Sequence, residues 1–143
     1  MLKAYGKIGI VADIVLDASV LGALFLNEDD SEEIHRVVKS HNIYAPSFWR
    51  FEVSNAVWKR KELPFEIAQN IIKRIWRFPV TIRENEELAT ESLSIARKYE
   101  ITFYDSFYIA MARLNDLPLW TMDKMQALTA SKVGVDLWGM KNL

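Results

Sequence analysis

A chain of 143 residues, half of them hydrophobic and 26% charged, can bury a core of its own and is too apolar to be disordered. It has no cysteine and only two histidines, His35 and His41, which excludes a disulfide framework, a thiolate nucleophile and a histidine-rich metal site. The formal net charge of −1 neither favours nor opposes a nucleic-acid partner, because acids gathered around a cation offset basic residues in the count.

The N-terminal stretch MLKAYGKIGIVADIVLD has apolar runs broken by Lys7 and Asp13. It is too short and too charged for a membrane span and has no convincing signal-peptide cleavage site, so a cytoplasmic protein is expected. Residues Met1–Asp13 read as a leader, and 14–143 as one domain. Ile14-Val15-Leu16 is β-branched and apolar enough for a buried strand, ending at Asp17. A short helix follows over Val20–Leu26. Ser31 is placed to cap the next helix, with Glu32 and Glu33 in its first turn and Ile34, Val37 and Val38 on its inner side. Ile43-Tyr44-Ala45 is a second short strand, stopped by Pro46.

Ser47 is expected to cap a helix over Phe48–Lys61 with Trp49, Val53, Ala56 and Val57 as its apolar stripe. After Leu63-Pro64 comes a helix over Phe65–Arg77. Its apolar face, Phe65, Ala68, Ile71, Ile72, Ile75 and Trp76, is broad. Val80-Thr81-Ile82 is a strand candidate. The helix Glu86–Tyr99 has acids in its first turn and Arg97-Lys98 in its last, matching the helix dipole. Tyr104–Asn115 is the most apolar helix in the chain and carries Asp105 at its mouth. Leu119–Thr121 forms a strand, Asp123 precedes a last short helix, and Val133, Val135 and Leu137 suggest an edge strand. Short β-branched strands alternating with helices predict an α/β protein, a three-layer α/β/α sandwich around a short, mostly parallel sheet.

In such sheets, sites gather beyond the carboxyl ends of the strands. Asp17, Glu52, Asp105 and Asp123 all fall near strand ends or helix starts, where a surface charge is not obviously needed. Each has a local reading as well: Asp17, Asp105 and Asp123 as helix caps, and Glu52 as a solvated helix residue. Together they read differently. Carboxylates crowded on one sheet edge repel and retain protons unless a cation joins them, and a hard divalent ion such as Mg²⁺ or Mn²⁺ is the natural partner. Such a centre can activate water for attack on a phosphodiester.

Four stretches carry a resemblance. Ile14–Val20, Phe51–Val57, Tyr104–Ala112 and Thr121–Asp123 resemble, in order and spacing, the signature blocks of PIN domains, and the compact layout is similar to VapC-type toxins of toxin–antitoxin pairs. The resemblance implies a PIN-like fold and a Mg²⁺- or Mn²⁺-dependent endoribonuclease that cleaves single-stranded RNA. It implies that Asp17, Glu52, Asp105 and Asp123 are metal ligands or hold metal-bound water, with Ser19 and Thr121 orienting them. It further implies a homodimer and inhibition by a cognate antitoxin lying over the active-site groove.

Arg50, Lys59, Arg60, Lys61, Lys73, Arg74 and Arg77 either position phosphates or solvate helix faces. Trp49, Trp58 and Trp76 either stack on bases or pack in the core and interfaces. The broad face of Phe65–Trp76 either packs internally or, with Phe48–Lys61, receives an antitoxin helix. Two other functional classes compete. One is an Asp-based, Mg²⁺-dependent phosphotransfer protein, for which Asp17-Ala18-Ser19 lacks the Asp-x-Asp of the dehalogenase type. The other is a non-catalytic PIN-like binding module whose acids serve only as caps.

Overall fold

The computed structural model describes residues 12–28 and 30–139. Most of the expected leader Met1–Asp13 therefore lies outside the described residues, and its last two residues, Ala12 and Asp13, belong to the first strand. The elements in chain order are β1 (Ala12–Leu16), α1 (Ala18–Phe25), α2 (Ser31–Ser40), β2 (His41–Tyr44), α3 (Trp49–Lys59), α4 (Phe65–Arg77), α5 (Glu86–Tyr99), α6 (Phe103–Leu114), β3 (Leu119–Trp120) and α7 (Lys124–Lys132).

The sheet is parallel, in the order β2-β1-β3, with Ile14 opposite Ile43 and Leu16 opposite Trp120. Single parallel bridges extend it at both edges, Thr81 to Tyr44 and Leu137 to Leu119. The two strands expected around Val80–Ile82 and Val133–Leu137 are thus reduced to one bridge each. Ile14, Val15 and Leu16 are all completely buried. Successive strand residues point to opposite faces, so both faces of β1 are covered, as a parallel sheet requires. Helices α1, α3 and α4 pack together, with α2 against α1; α5 pairs with α6, which also meets α7, β1 and β3. The result is the expected three-layer α/β/α sandwich.

Asp13 is tolerated inside β1 because β2 satisfies it. Its carboxylate accepts from Asn42 Nδ2 at 3.1 Å and from the Tyr44 hydroxyl at 3.4 Å. The apolar reading of α6 is correct: Phe107 through Ala112 are all buried. Two caps differ from expectation. Ser47 does not cap α3; its backbone N–H donates to Glu84 Oε2 at 2.6 Å, and Phe48 occupies the N-cap position without a side-chain bond. Ser31 is the first residue of α2 rather than its cap, and its hydroxyl donates to Asn27. The Ser31 hydroxyl is thus engaged by a side chain of the preceding turn and not by the helix end. No helix among the described residues is long and apolar enough to cross a membrane.

Candidate active site

Strands of one parallel sheet all end at the same edge, and here each is followed by a helix that begins there. Asp17 links β1 to α1, Glu52 lies in the first turn of α3 after β2, and Asp123 lies between β3 and α7. Asp105 lies in the first turn of α6. All four acids therefore stand at helix N-termini, where the partial positive charge of free N–H groups favours a carboxylate by about 0.3–1 kcal/mol. That is modest against the cost of gathering four carboxylates.

Asp17 is the most deeply held. It is only 3% exposed and caps α1, its Oδ1 accepting from the Ser19 N–H at 3.1 Å, the Val20 N–H at 3.2 Å and the Ser19 hydroxyl at 2.6 Å. Thr121 donates its hydroxyl to Oδ2. Burial pushes the carboxyl up to about 6, against the pull of these four hydrogen bonds. Oδ1 is saturated, whereas Oδ2 keeps acceptor capacity.

Ser19 and Thr121 do more than donate to Asp17. The Ser19 hydroxyl accepts from the Met122 N–H at 2.9 Å, and the Thr121 hydroxyl accepts from the Asp123 N–H at 3.0 Å. Two hydroxyls thus bind Asp17 to the turn that carries Asp123. Asp123 in turn caps α7 by accepting from the Gln126 N–H at 3.0 Å. The buried Gln126 side chain donates to the Asp105 carbonyl at 3.3 Å, tying α7 to the first turn of α6.

Glu52 is half-buried. Its Oε1 accepts from the Tyr108 hydroxyl at 2.6 Å. Burial raises its carboxyl, the Tyr108 bond opposes this, and the carboxylates of Asp105 and Asp17 raise it further. Burial also raises Asp105, and Asp123 adds to the effect. Glu52 and Asp105 are thus each raised further by neighbouring carboxylates. Tyr108, pushed far above the ordinary phenol range by burial and by Glu52, stays a neutral donor.

Among the described residues the ion pairs are Arg60 with Glu28 and Glu62, and Arg113 with Glu91. None involves the quartet. No group of three or more acidic, histidine or cysteine side chains among the described residues stands within common reach of one ion. The donor set nevertheless fits a hard divalent cation: oxygen ligands only, no ion-pair partner among the described residues, and a buried carboxylate with a spare lone pair.

Two positions were misread from sequence. Asp105 is not the cap of α6; Thr102 is, its hydroxyl accepting from the Asp105 N–H at 3.0 Å. Asp105 is thereby released from capping. Tyr108 was counted only as part of an apolar helix, although a buried phenol requires a partner and position 108 lies one turn beyond Asp105.

Residues 14–132 match the sequence model of the PIN domain. The chain belongs to the PIN domain family. Among curated proteins, this PIN domain is similar to Ribonuclease VapC3 of Pyrobaculum aerophilum, 29% identical over 120 residues that make up 80% of this chain and 92% of the relative. Among solved structures, one from Pyrobaculum aerophilum superposes with a TM-score of 0.65 at 24% identity, covering 84% of this chain and 87% of that one. A toxin–antitoxin complex from Klebsiella pneumoniae superposes with a TM-score of 0.57 at 18% identity, covering 77% and 86%.

Thr121→Val in this PIN domain removes the donor to Asp17 Oδ2 and the acceptor for Asp123 N–H without changing the side-chain shape. A hydrogen bond to the charged form favours that form, so its loss raises the Asp17 pKa above the wild-type value of about 6. Carboxyl ¹³C titration by NMR measures this directly, and an unchanged Asp17 midpoint would refute the assigned role of Thr121.

Proposed function

We propose that this PIN domain is a metal-dependent endoribonuclease, the toxin of a VapBC-type toxin–antitoxin pair acting in the cytoplasm. The observation that carries the reading is the acidic quartet: carboxylates at one set of helix N-termini, one of them buried, with no ion-pair partner among the described residues. Asp17, Glu52, Asp105 and Asp123 hold Mg²⁺ or Mn²⁺, directly or through its waters, and Ser19 and Thr121 orient Asp17 and the Asp123 turn. A cation held there would supply the Lewis acidity that activates water toward a phosphodiester of single-stranded RNA. Tyr108 favours the charged form of Glu52 and aims it, and the buried α6 holds Asp105 in place. The similarity to Ribonuclease VapC3 supports the same chemistry.

A protein partner is supported by the outer surface of α3 and α4. Phe51, Trp58, Phe65 and Ile67 are 66%, 63%, 80% and 48% exposed. Between the helices runs a groove of about 410 Å³ floored by Val57, Leu63, Ala68 and Ile72. An apolar face of this kind marks a partner site, and we assign it to an amphipathic antitoxin helix. Homodimerisation completes the proposed assembly.

A cleavage assay on single-stranded RNA, with Mg²⁺ titrated in, tests the reading. Cleavage appears with the metal, stops with EDTA, and falls by roughly a thousandfold in Asp105→Asn, a variant that leaves the Thr102 cap intact. Cleavage that persisted in EDTA, or in a folded Asp105→Asn protein, would overturn the assignment.

A further inference from the structure

The tryptophans singled out for base stacking lie in the core or on the outer α3–α4 face assigned above to a protein partner. Trp49 is completely buried, Trp76 stands edge-on to Phe51 at 5.3 Å, and Lys61 Nζ lies 3.8 Å over the Trp58 ring. A different aromatic group stands at the acidic site. Phe103 and Tyr104 open α6 immediately before Asp105, and they are 40% and 58% exposed. Large rings left open at the start of an otherwise buried helix need a reason, since the same helix buries every residue from Ser106 to Ala112.

The rings are not loose. Tyr104 stands edge-to-face with Phe48 at 5.0 Å, and Phe103 packs on Phe107 at 5.7 Å. Phe48 also meets Phe107 at 5.6 Å and Tyr108 at 5.8 Å. Tyr108 is the residue that donates to Glu52. An unbroken series of ring contacts therefore runs from the open Tyr104 to the partner of a site carboxylate. A shelf anchored in this way holds its shape when a ligand lands on it, which lowers the ordering cost of binding.

We infer that the Phe103–Tyr104 shelf stacks an unpaired nucleobase next to the phosphodiester presented to the acidic quartet, and so positions single-stranded nucleic acid for cleavage. The inference rests on the nuclease reading for the identity of its ligand. Its chemistry is separate. Every base has a π-face, so a tyrosine shelf is tolerant of sequence and demands only that the base be out of a duplex. The contacts from Tyr104 through Phe48 and Tyr108 to Glu52 put the shelf on the side of the molecule that carries the quartet. The shelf is a positioning device: it acts on where the strand lies and leaves the protons of the site alone.

The test separates binding from cleavage. Fluorescence anisotropy is measured with Mg²⁺ present, in the Asp17→Asn background so that nothing is cut. Three probes of equal length are compared: oligoadenylate, an abasic ribose-phosphate oligomer and an RNA duplex. Oligoadenylate is expected to bind at least about tenfold more tightly than either of the others, as one stacked base would give. Adding Tyr104→Ala abolishes that preference, Tyr104→Trp restores it, and Tyr104→Leu, which keeps apolar area without a π-face, does not. In the cleaving protein, Tyr104→Ala raises KM about tenfold with little change in kcat. A preference for bases that survives Tyr104→Ala, a full rescue by Tyr104→Leu, or absence of binding to all three probes would overturn the shelf. Base-dependent binding through Tyr104 in a protein that cleaves no RNA would leave the shelf standing and remove the nuclease reading.

Discussion

Asp17→Asn is expected to abolish RNA cleavage while making the metal-free protein harder to unfold at neutral pH. The two effects have one cause. Asp17 is buried at the end of β1, and its folded pKa of about 6 stands above the ordinary carboxylate value of 3.8. A carboxyl whose pKa is raised by folding is protonated more readily in the native than in the unfolded chain. Its ionisation is therefore a penalty on folding, absent below pH 4 and fully present above pH 6. With about two units between the states, the penalty at pH 7.5 is on the order of 3 kcal/mol.

Asparagine avoids the charge and keeps the shape. Its Oδ1 still accepts from the Ser19 and Val20 N–H groups, and Asn is as good an N-cap as Asp. Its Nδ2 can donate to the Thr121 hydroxyl, whose own hydrogen then loses its acceptor, a cost that trims the gain from removing the charge. Urea unfolding in EDTA should show the wild type losing stability from about pH 4 to about pH 6. The variant should lose less and be the more stable of the two at pH 7.5, by roughly 1–3 kcal/mol. Cleavage should fall by on the order of a thousandfold, because an amide is a weaker oxygen ligand and carries no charge to offset a cation. A variant less stable than the wild type at pH 7.5 would mean that Asp17 is a structural group and not a stored charge.

How far the sequence alone revealed this arrangement depends on the range of the interaction. Ile14-Val15-Leu16 and the Phe107–Ala112 helix were legible because burial on all sides leaves a continuous apolar run. Asp17, Glu52 and Asp123 could be expected on one edge because strand ends in a parallel sheet converge, a property of topology and not of spacing. The hydrogen bonds that distinguish the acids' roles were not legible. Thr102 and Asp105 both suit the start of α6, and only the backbone geometry shows that the threonine is the cap. The Tyr108–Glu52 bond joins residues 56 apart, and the Gln126–Asp105 link joins residues 21 apart. The edge strands at Thr81 and Leu137 were overread, because β-branched composition registers suitability for a strand and not the availability of a partner along its length.

Metal binding should be linked to protons, and this gives the second large effect. In the metal-free site Asp17 titrates near 6, and Glu52 and Asp105 are raised, all three chiefly by burial, with neighbouring carboxylates adding to the latter two. A divalent cation binds the ionised forms and must displace whatever protons remain. Below pH 6 the Asp17 proton alone should make the apparent Mg²⁺ affinity fall about tenfold for each unit of acidification, and a second coupled carboxylate would steepen the slope. Above pH 7 that proton is gone and the affinity should level off. Calorimetry in buffers of different ionisation enthalpy counts the released protons: roughly half a proton from Asp17 at pH 6, and almost none at pH 8. Binding, unlike the cleavage rate, is not affected by the ionisation of the attacking water, so the two sources of acid sensitivity separate. Mg²⁺ should also stabilise the wild type against urea more at pH 7.5 than at pH 5.5, and Asp17→Asn hardly at all. If Mg²⁺ affinity were the same at pH 5.5 and pH 7.5, the buried carboxylate would not be part of the metal site, and the quartet would have to be redrawn without Asp17.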